Sequence, residues 1–400
     1  MRLGFGAAFW RLGSALGRTR IHAFMGLLGL IGLAGLTGCE GFFTAVNNNP
    51  GPGGTSSFVY VTNTTAGGGG TITAYSLTSG TLTQVKGSPY ILTATPTSIV
   101  VAPNNEFLYV GTTLGVFLYI INSDGTLTQG NNNTVVFLNQ AGLVVRSMVM
   151  DSSSSWLIMA YQSSTELDAL PMAPTSGLAA GVSPFAVNTS FAASVPQLAM
   201  SPAGNNVFVA LSTGGVNAFG FSPKASGSPW GTSVSIPLHA ANTADNAVTV
   251  DPTSTYLFVC EASTNTTTAT AGQLRLVAIS NLAADVADYA TGVNPAEVLV
   301  DLTGAYVYVA NATDNTISGY TLSAGALAPL SGSPYATAKI TTGLVEENSK
   351  TYLFDVGFGA NPNLWMYNFD ATSPGDLNVK TTTSTATSNP SLAIGIAVTH

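Results

Sequence analysis

Short apolar and β-branched runs, broken by Gly, Pro, Asn, Asp and Ser, alternate along the chain from Phe58 onward. Short runs bounded by turn formers predict strands, and no stretch reads as a convincing amphipathic helix. One pattern recurs: an apolar strand, a turn, then a strand that usually carries an aromatic residue before Val. It occupies Ser98 to Val110, Ser147 to Met159, Leu198 to Val209, Ala247 to Val259, Glu297 to Val309 and Gly343 to Val356. The units start near 96, 146, 196, 246, 295, 342 and 390, a spacing of about fifty residues. So short a unit cannot bury a core alone, and stacked units must share one. A seventh opening strand, Ser391 to Val398, is followed by no remainder, while an unpaired remainder, Phe58 to Leu82, stands at the front. The two complete each other, which predicts a closed ring of β-units without a free sheet edge.

Turn chemistry repeats with the strands. Leu77-Thr78-Ser79-Gly80-Thr81-Leu82 recurs as Asn122-Ser123-Asp124-Gly125-Thr126-Leu127 and as Leu322-Ser323-Ala324-Gly325-Ala326-Leu327. Its central x-Gly pair signals a two-residue hairpin, because Gly tolerates the positive φ that such turns need. Gly87-Ser88-Pro89-Tyr90 recurs as Gly227-Ser228-Pro229-Trp230 and Gly332-Ser333-Pro334-Tyr335, a fixed corner after the fourth strand.

Charge changes the picture of partners. Only 8% of residues are charged, and four of the eleven basic ones (Arg2, Arg11, Arg18, Arg20) lie in the first twenty. Beyond them seven basic residues face nineteen acidic ones, a balance of −12. No basic stripe remains for phosphates, which argues against nucleic-acid binding and against electrostatic docking on an anionic membrane.

The early arginines precede an apolar, Gly-rich run from Ile21 to Leu36, then Leu36-Thr37-Gly38-Cys39. A basic region, an apolar region and small residues before a cleavage point describe an export signal. The last four residues resemble the bacterial lipobox, which implies lipidation of Cys39 and makes residues 1–38 a lipoprotein signal peptide. An uncleaved membrane helix is the alternative. Glu40, rather than Asp, follows the cysteine and favours an outer-membrane destination, periplasmic or cell-surface. Residues 39–57, with Asn47-Asn48-Asn49-Pro50-Gly51-Pro52-Gly53-Gly54, read as a flexible tether. An acylated Cys39 leaves Cys260 unpaired, and Cys260 reads as a small packing residue because no basic neighbour in sequence lowers its pKa.

The repeats resemble the YVTN repeat and the seven-bladed propeller of the lactonase (6-phosphogluconolactonase-like) family. The matching residues are Tyr60-Val61-Thr62-Asn63, Tyr109-Val110-Gly111-Thr112 and Tyr308-Val309-Ala310-Asn311, with the preceding turns Ala102-Pro103-Asn104-Asn105, Ser201-Pro202-Ala203-Gly204 and Asp251-Pro252-Thr253-Ser254. The resemblance covers about residues 58 to 398. It implies an all-β, seven-bladed β-propeller over 58–400 with four strands per blade. One blade is composite, its N-terminal strands pairing with the C-terminal strand.

In such a propeller the first strand of each blade lines the channel. Aligning the units places Ser98, Arg146, Gln197, Asn246, Glu297, Thr342 and Ser391 at one mouth, with a one-residue slip of register left open. Arg146 and Glu297 are the only charged members and stand three units apart in a ring of seven, roughly opposite one another. Arg146, Gln197, Asn246, Glu297 and Thr342 are therefore the candidate binding residues, Arg146 for an anionic group. Glu297, Arg146 and His239 are the candidate catalytic groups. The other reading is a solvated channel whose polar lining satisfies inner-strand backbone. Asp151, Asp251, Asp301 and Glu346/Glu347 fall at the turn after the first strand, where acids bond nearby N–H groups, so they read as turn caps rather than a metal site. No Gly-x-Ser-x-Gly, His-x-x-x-His or Cys-x-x-Cys motif occurs, and no metal or cofactor is expected.

Two functions follow as expectations. One is a monomeric envelope lipoprotein that binds an envelope protein or glycan and touches the membrane through its lipid alone. The other is a hydrolase that opens a sugar lactone or related ester at the channel mouth, with the three candidate groups converging on one cavity.

Overall fold

The computed structural model describes residues 57–65, 67–140, 142–223, 227–265, 269–385 and 392–400. The leader, Cys39, the tether up to residue 56 and Ser391 lie outside the described residues. Seven antiparallel sheets follow one another around a ring. Blade 1 is the composite one: Ala393–Val398 is its inner strand, paired antiparallel with Ser57–Thr64, then Gly70–Thr78 and Thr81–Gln84. Blades 2 to 7 have the inner strands Pro96–Val101, Val145–Met150, Gln197–Met200, Thr243–Val250, Pro295–Val300 and Thr341–Glu346. The fold is thus the expected all-β propeller, and the closure joins the strands predicted to pair.

The local chemistry explains each recurrent motif. At Ser79-Gly80 and Ala324-Gly325 both residues have positive φ, at 49° and 75° and at 50° and 74°. These are the two-residue hairpins, and Gly takes the more demanding position at no steric cost. In the Gly-Ser-Pro-Tyr corners, Ser88 Oγ accepts the Ala74 N–H at 2.8 Å and Ser333 Oγ accepts the Gly319 N–H at 2.9 Å. Each serine fills the gap where the fourth strand leaves the third, before Tyr90–Leu92 or Tyr335–Ala336 returns to that same third strand.

The tyrosine of the Tyr-Val pair has a separate task. The hydroxyls of Tyr60, Tyr109 and Tyr308 donate to the carbonyls of Gly125, Gly177 and Gly375 in the next blade, at 3.1, 2.9 and 2.7 Å. The ring fills the core between blades while its polar tip satisfies a carbonyl that would otherwise be orphaned.

Packing follows the ring. Among the described residues the buried apolar side chains fall into seven clusters, one at each blade-to-blade interface. The cluster between blades 7 and 1 combines Val59, Val61 and Ile396 with Phe354, Val356 and Met366, so the composite blade is packed like the others. Cys260 is fully buried between blades 5 and 6, and burial pushes its thiol pKa up. Asp251 and Asp301 cap their turns as expected: Asp251 Oδ1 accepts the Thr255 N–H at 2.7 Å, and Asp301 Oδ1 accepts those of Ala305 and Tyr306 at 2.8 and 2.7 Å.

One irregularity positions the channel lining. The pairing of the inner strand shifts register between Pro96 and Ser98, Val145 and Ser147, Asp245 and Ala247, Pro295 and Glu297, and Thr341 and Gly343. In blade 1 Ile394 is skipped in the same way. Such a bulge puts two residues opposite one and re-aims a side chain.

Candidate active site in the channel

The bulges let neighbouring residues of an inner strand reach the channel, so both registers of the sequence alignment contribute. Arg146, Asn246 and Thr342 are bulged residues, Ser98 and Glu297 are the first residues after a bulge, and Gln197 opens the regular inner strand of blade 4. All six line one cavity of about 240 Å³.

Much of this lining is spent on holding the blades together. Gln197 Oε1 accepts the Val248 N–H at 2.7 Å, Asn246 Nδ2 donates to Pro295 O at 3.2 Å, and Thr342 Oγ1 donates to Ala393 O at 3.0 Å. Ser147, beside Arg146, accepts the Leu198 N–H at 3.0 Å. Each bond runs from one inner strand to the next. In this respect the lining does satisfy backbone.

The two charged groups are different. Glu297 Oε2 accepts the Gln197 Nε2–H at 2.7 Å, and among the described residues Oε1 has no hydrogen bond. The carboxyl keeps partial contact with the channel but is ringed by protein. Burial raises its pKa from 4.5 to about 7; the Gln197 hydrogen bond and the Arg146 charge oppose the rise, and the Asp355 charge adds to it. Arg146 donates from Nη1 to Thr97 O at 3.0 Å, and burial lowers its pKa while Glu297 raises it. The two feel one another's charge without forming a contact ion pair, which leaves room between them. The arrangement offers a base poised near neutrality and a cation facing the same space.

His239 does not join them. Its connection between blades 4 and 5 turns the ring toward the outer strand of blade 5, where Nδ1 lies 3.1 Å from Asp285 Oδ2 and 3.3 Å from Asp288 Oδ2. The hydrogen bond that Asp285 accepts from the ring raises the histidine pKa. The expected convergence of three groups is therefore corrected to a pair, Arg146 and Glu297. His239, Asp285 and Asp288 have the spacing of a metal site, but the Arg275 guanidinium already bonds both oxygens of Asp285 at 3.1 Å. That fixed cation disfavours another positive charge there.

Sequence reasoning missed the network around Arg275. This buried guanidinium also donates to Asp245 Oδ2 at 2.8 Å and to Pro237 O at 3.0 Å. Burial drives Asp245 up to about 7 against the pull of Arg275. An Arg inside the apolar strand sequence Leu274-Arg275-Leu276 was the available signal.

A sequence profile described as lactonase, 7-bladed beta-propeller, matches residues 58–334, more than half of the chain. The chain belongs to the lactonase seven-bladed β-propeller family. No curated protein matches it significantly in sequence. Among solved structures it is similar to a candidate 6-phosphogluconolactonase of Bacteroides fragilis, with a TM-score of 0.67 and 13% identity over 86% of this chain and 98% of that one. It is also similar to the periplasmic gluconolactonase PpgL of Pseudomonas aeruginosa, with a TM-score of 0.66 and 12% identity over 86% and 99% of the two chains. At these identities the likeness carries the fold.

Proposed function

We propose that this protein hydrolyses a sugar-derived lactone or related ester in the channel cavity, as an exported family member anchored through Cys39. The observation that carries the reading is Glu297 and Arg146 on one small cavity, the carboxyl fixed by Gln197 and raised to about 7. Family membership and the activity named for the similar periplasmic gluconolactonase support it.

In this mechanism the ionised Glu297 takes a proton from water as the oxygen adds to the lactone carbonyl. Arg146 offsets the charge that develops on the carbonyl oxygen. The ring C–O bond then breaks, and the departing alkoxide takes the proton back from Glu297, giving the open hydroxy acid. A pKa near 7 suits both directions of transfer.

The alternative, a non-catalytic module for an envelope protein or glycan, finds less support. Among the described residues, Phe191 and Phe358 are the only aromatics among the exposed large hydrophobics. Binding faces are usually richer in aromatic anchors.

The test is hydrolysis of aldonolactones by the purified protein, followed by acid release, with Glu297→Gln as control. Turnover lost in the variant supports the reading; no turnover on any aldonolactone, or equal turnover in the variant, rejects it.

A further inference from the structure

The far end of the channel is chemically unlike the first. There a cavity of about 490 Å³ opens where the inner strands end, a size typical of small-molecule pockets. Ile99, Val345 and Ile396 line both cavities and form the apolar waist between them. The last ladder position of the inner strand is Val101, Met150, Met200, Val250, Val300 and Val398 in six blades. In blade 7 it is Glu346, paired with Leu353.

Glu346 is thus a carboxyl at a position that is otherwise apolar, and it lines this cavity. It is not the turn cap of its blade. Glu347 does that work, its Oε1 accepting the Thr351 and Tyr352 N–H groups at 2.9 and 3.2 Å. Glu346 is only 7% exposed. Its Oε2 accepts the Leu302 N–H of blade 6 at 2.6 Å, while among the described residues its Oε1 is buried without a partner. The bond to Leu302 accounts for one oxygen as a link between blades; nothing among the described residues accounts for the other. An orphaned buried oxygen is destabilising, and a ligand that meets it would recover that cost.

The surroundings select the ligand's charge. Asp301 and Glu347 act on Glu346 with like charge, and Tyr308 faces it. Lys350 acts with opposite charge but is exposed and donates to Leu302 O. His400 also lines the cavity, and burial lowers its imidazole pKa, so it adds little positive charge at neutral pH. A second anion is repelled here, whereas an ammonium supplies both a donor and a countercharge.

We propose that this mouth is a second binding site, for a cationic amphiphile whose apolar body fills the funnel and whose ammonium group bonds Glu346. The site is independent of lactone hydrolysis. Burial holds the Glu346 pKa up at about 8, so an arriving ammonium ionises the carboxyl and expels its proton.

Calorimetric titration of the purified protein at pH 7 tests this with 4-phenylbutylamine against 4-phenylbutanol, in two buffers of different ionisation enthalpy. The amine is expected to bind one to one, at least about tenfold tighter than the alcohol, with close to one proton released. Glu346→Val should abolish both the preference and the proton release while the alcohol still binds. Glu346→Gln retains an acceptor for Leu302 and should bind the amine without proton release. Glu297→Gln, in the other chamber, should bind as the native protein does. Absence of amine binding to the native protein, or a preference and proton release that survive in Glu346→Val, overturns the proposal.

Discussion

Gln197 reaches from blade 4 to blade 6, and its Nε2 donates to Glu297 Oε2 at 2.7 Å while its Oε1 holds the Val248 N–H. One side chain therefore ties the candidate base to the channel wall with both ends satisfied. That restraint makes the behaviour of Glu297 testable.

If Glu297 acts as a base, kcat/KM should rise with pH through about 7, the pKa that burial imposes. Gln197→Ala removes a hydrogen bond that favours the carboxylate, so the rising limb should move to higher pH. A pH–rate profile decides, and a midpoint left at the ordinary value near 4.5 would show that burial does not govern the group.

Arg146→Ala should lower kcat by about 10²-fold with a smaller change in KM, as expected for a group that stabilises developing charge. It should also push the Glu297 limb upward, because Arg146 lowers that pKa. Steady-state kinetics separate this outcome from a purely binding role, in which KM alone would change.

Tyr308→Phe should cost about 1–3 kcal/mol in urea unfolding, since it strands the buried Gly375 carbonyl without removing the ring. Tyr109→Phe should behave alike at Gly177. A neutral result for both would mean that water replaces the hydroxyl.

Arg275→Met should destabilise by about 3–5 kcal/mol, because it leaves Asp245 and Asp285 facing one another without their cation. Denaturant unfolding measures the loss.

Stability should fall as pH rises from about 4.5 to about 8. Glu346 and Glu297 have folded pKa values raised to about 8 and about 7, so the folded chain holds more protons than the unfolded one in this window. Their contribution is complete below the unfolded value and is lost as pH passes the folded one. Glu346→Val should flatten this slope, and melting temperatures at pH 5 and pH 8 for both proteins measure it.

The repeat period and the x-Gly turns make the blades legible in the sequence, because strand and hairpin chemistry is local. The channel residues were legible for a less obvious reason. Aligning Arg146 with Glu297 mixes two registers, which in a regular strand would turn one of them away. The bulge brings both to the same cavity, and bulges leave no clear mark in these sequences. His239 was misplaced because loop direction is set by tertiary partners, here Asp285 and Asp288. Glu346 was hidden by its neighbour: two adjacent glutamates look like one turn signal until the pairing with Leu353 separates them.

The strand pairing that completes blade 1 also governs how the molecule comes apart. In an open array of repeats an end unit can fray by giving up a single interface. Here the seven cores form an unbroken circle, so detaching any blade, including the composite one, sacrifices two cores together. The propeller has no weak end from which unravelling can start, and it should melt as one cooperative body rather than blade by blade.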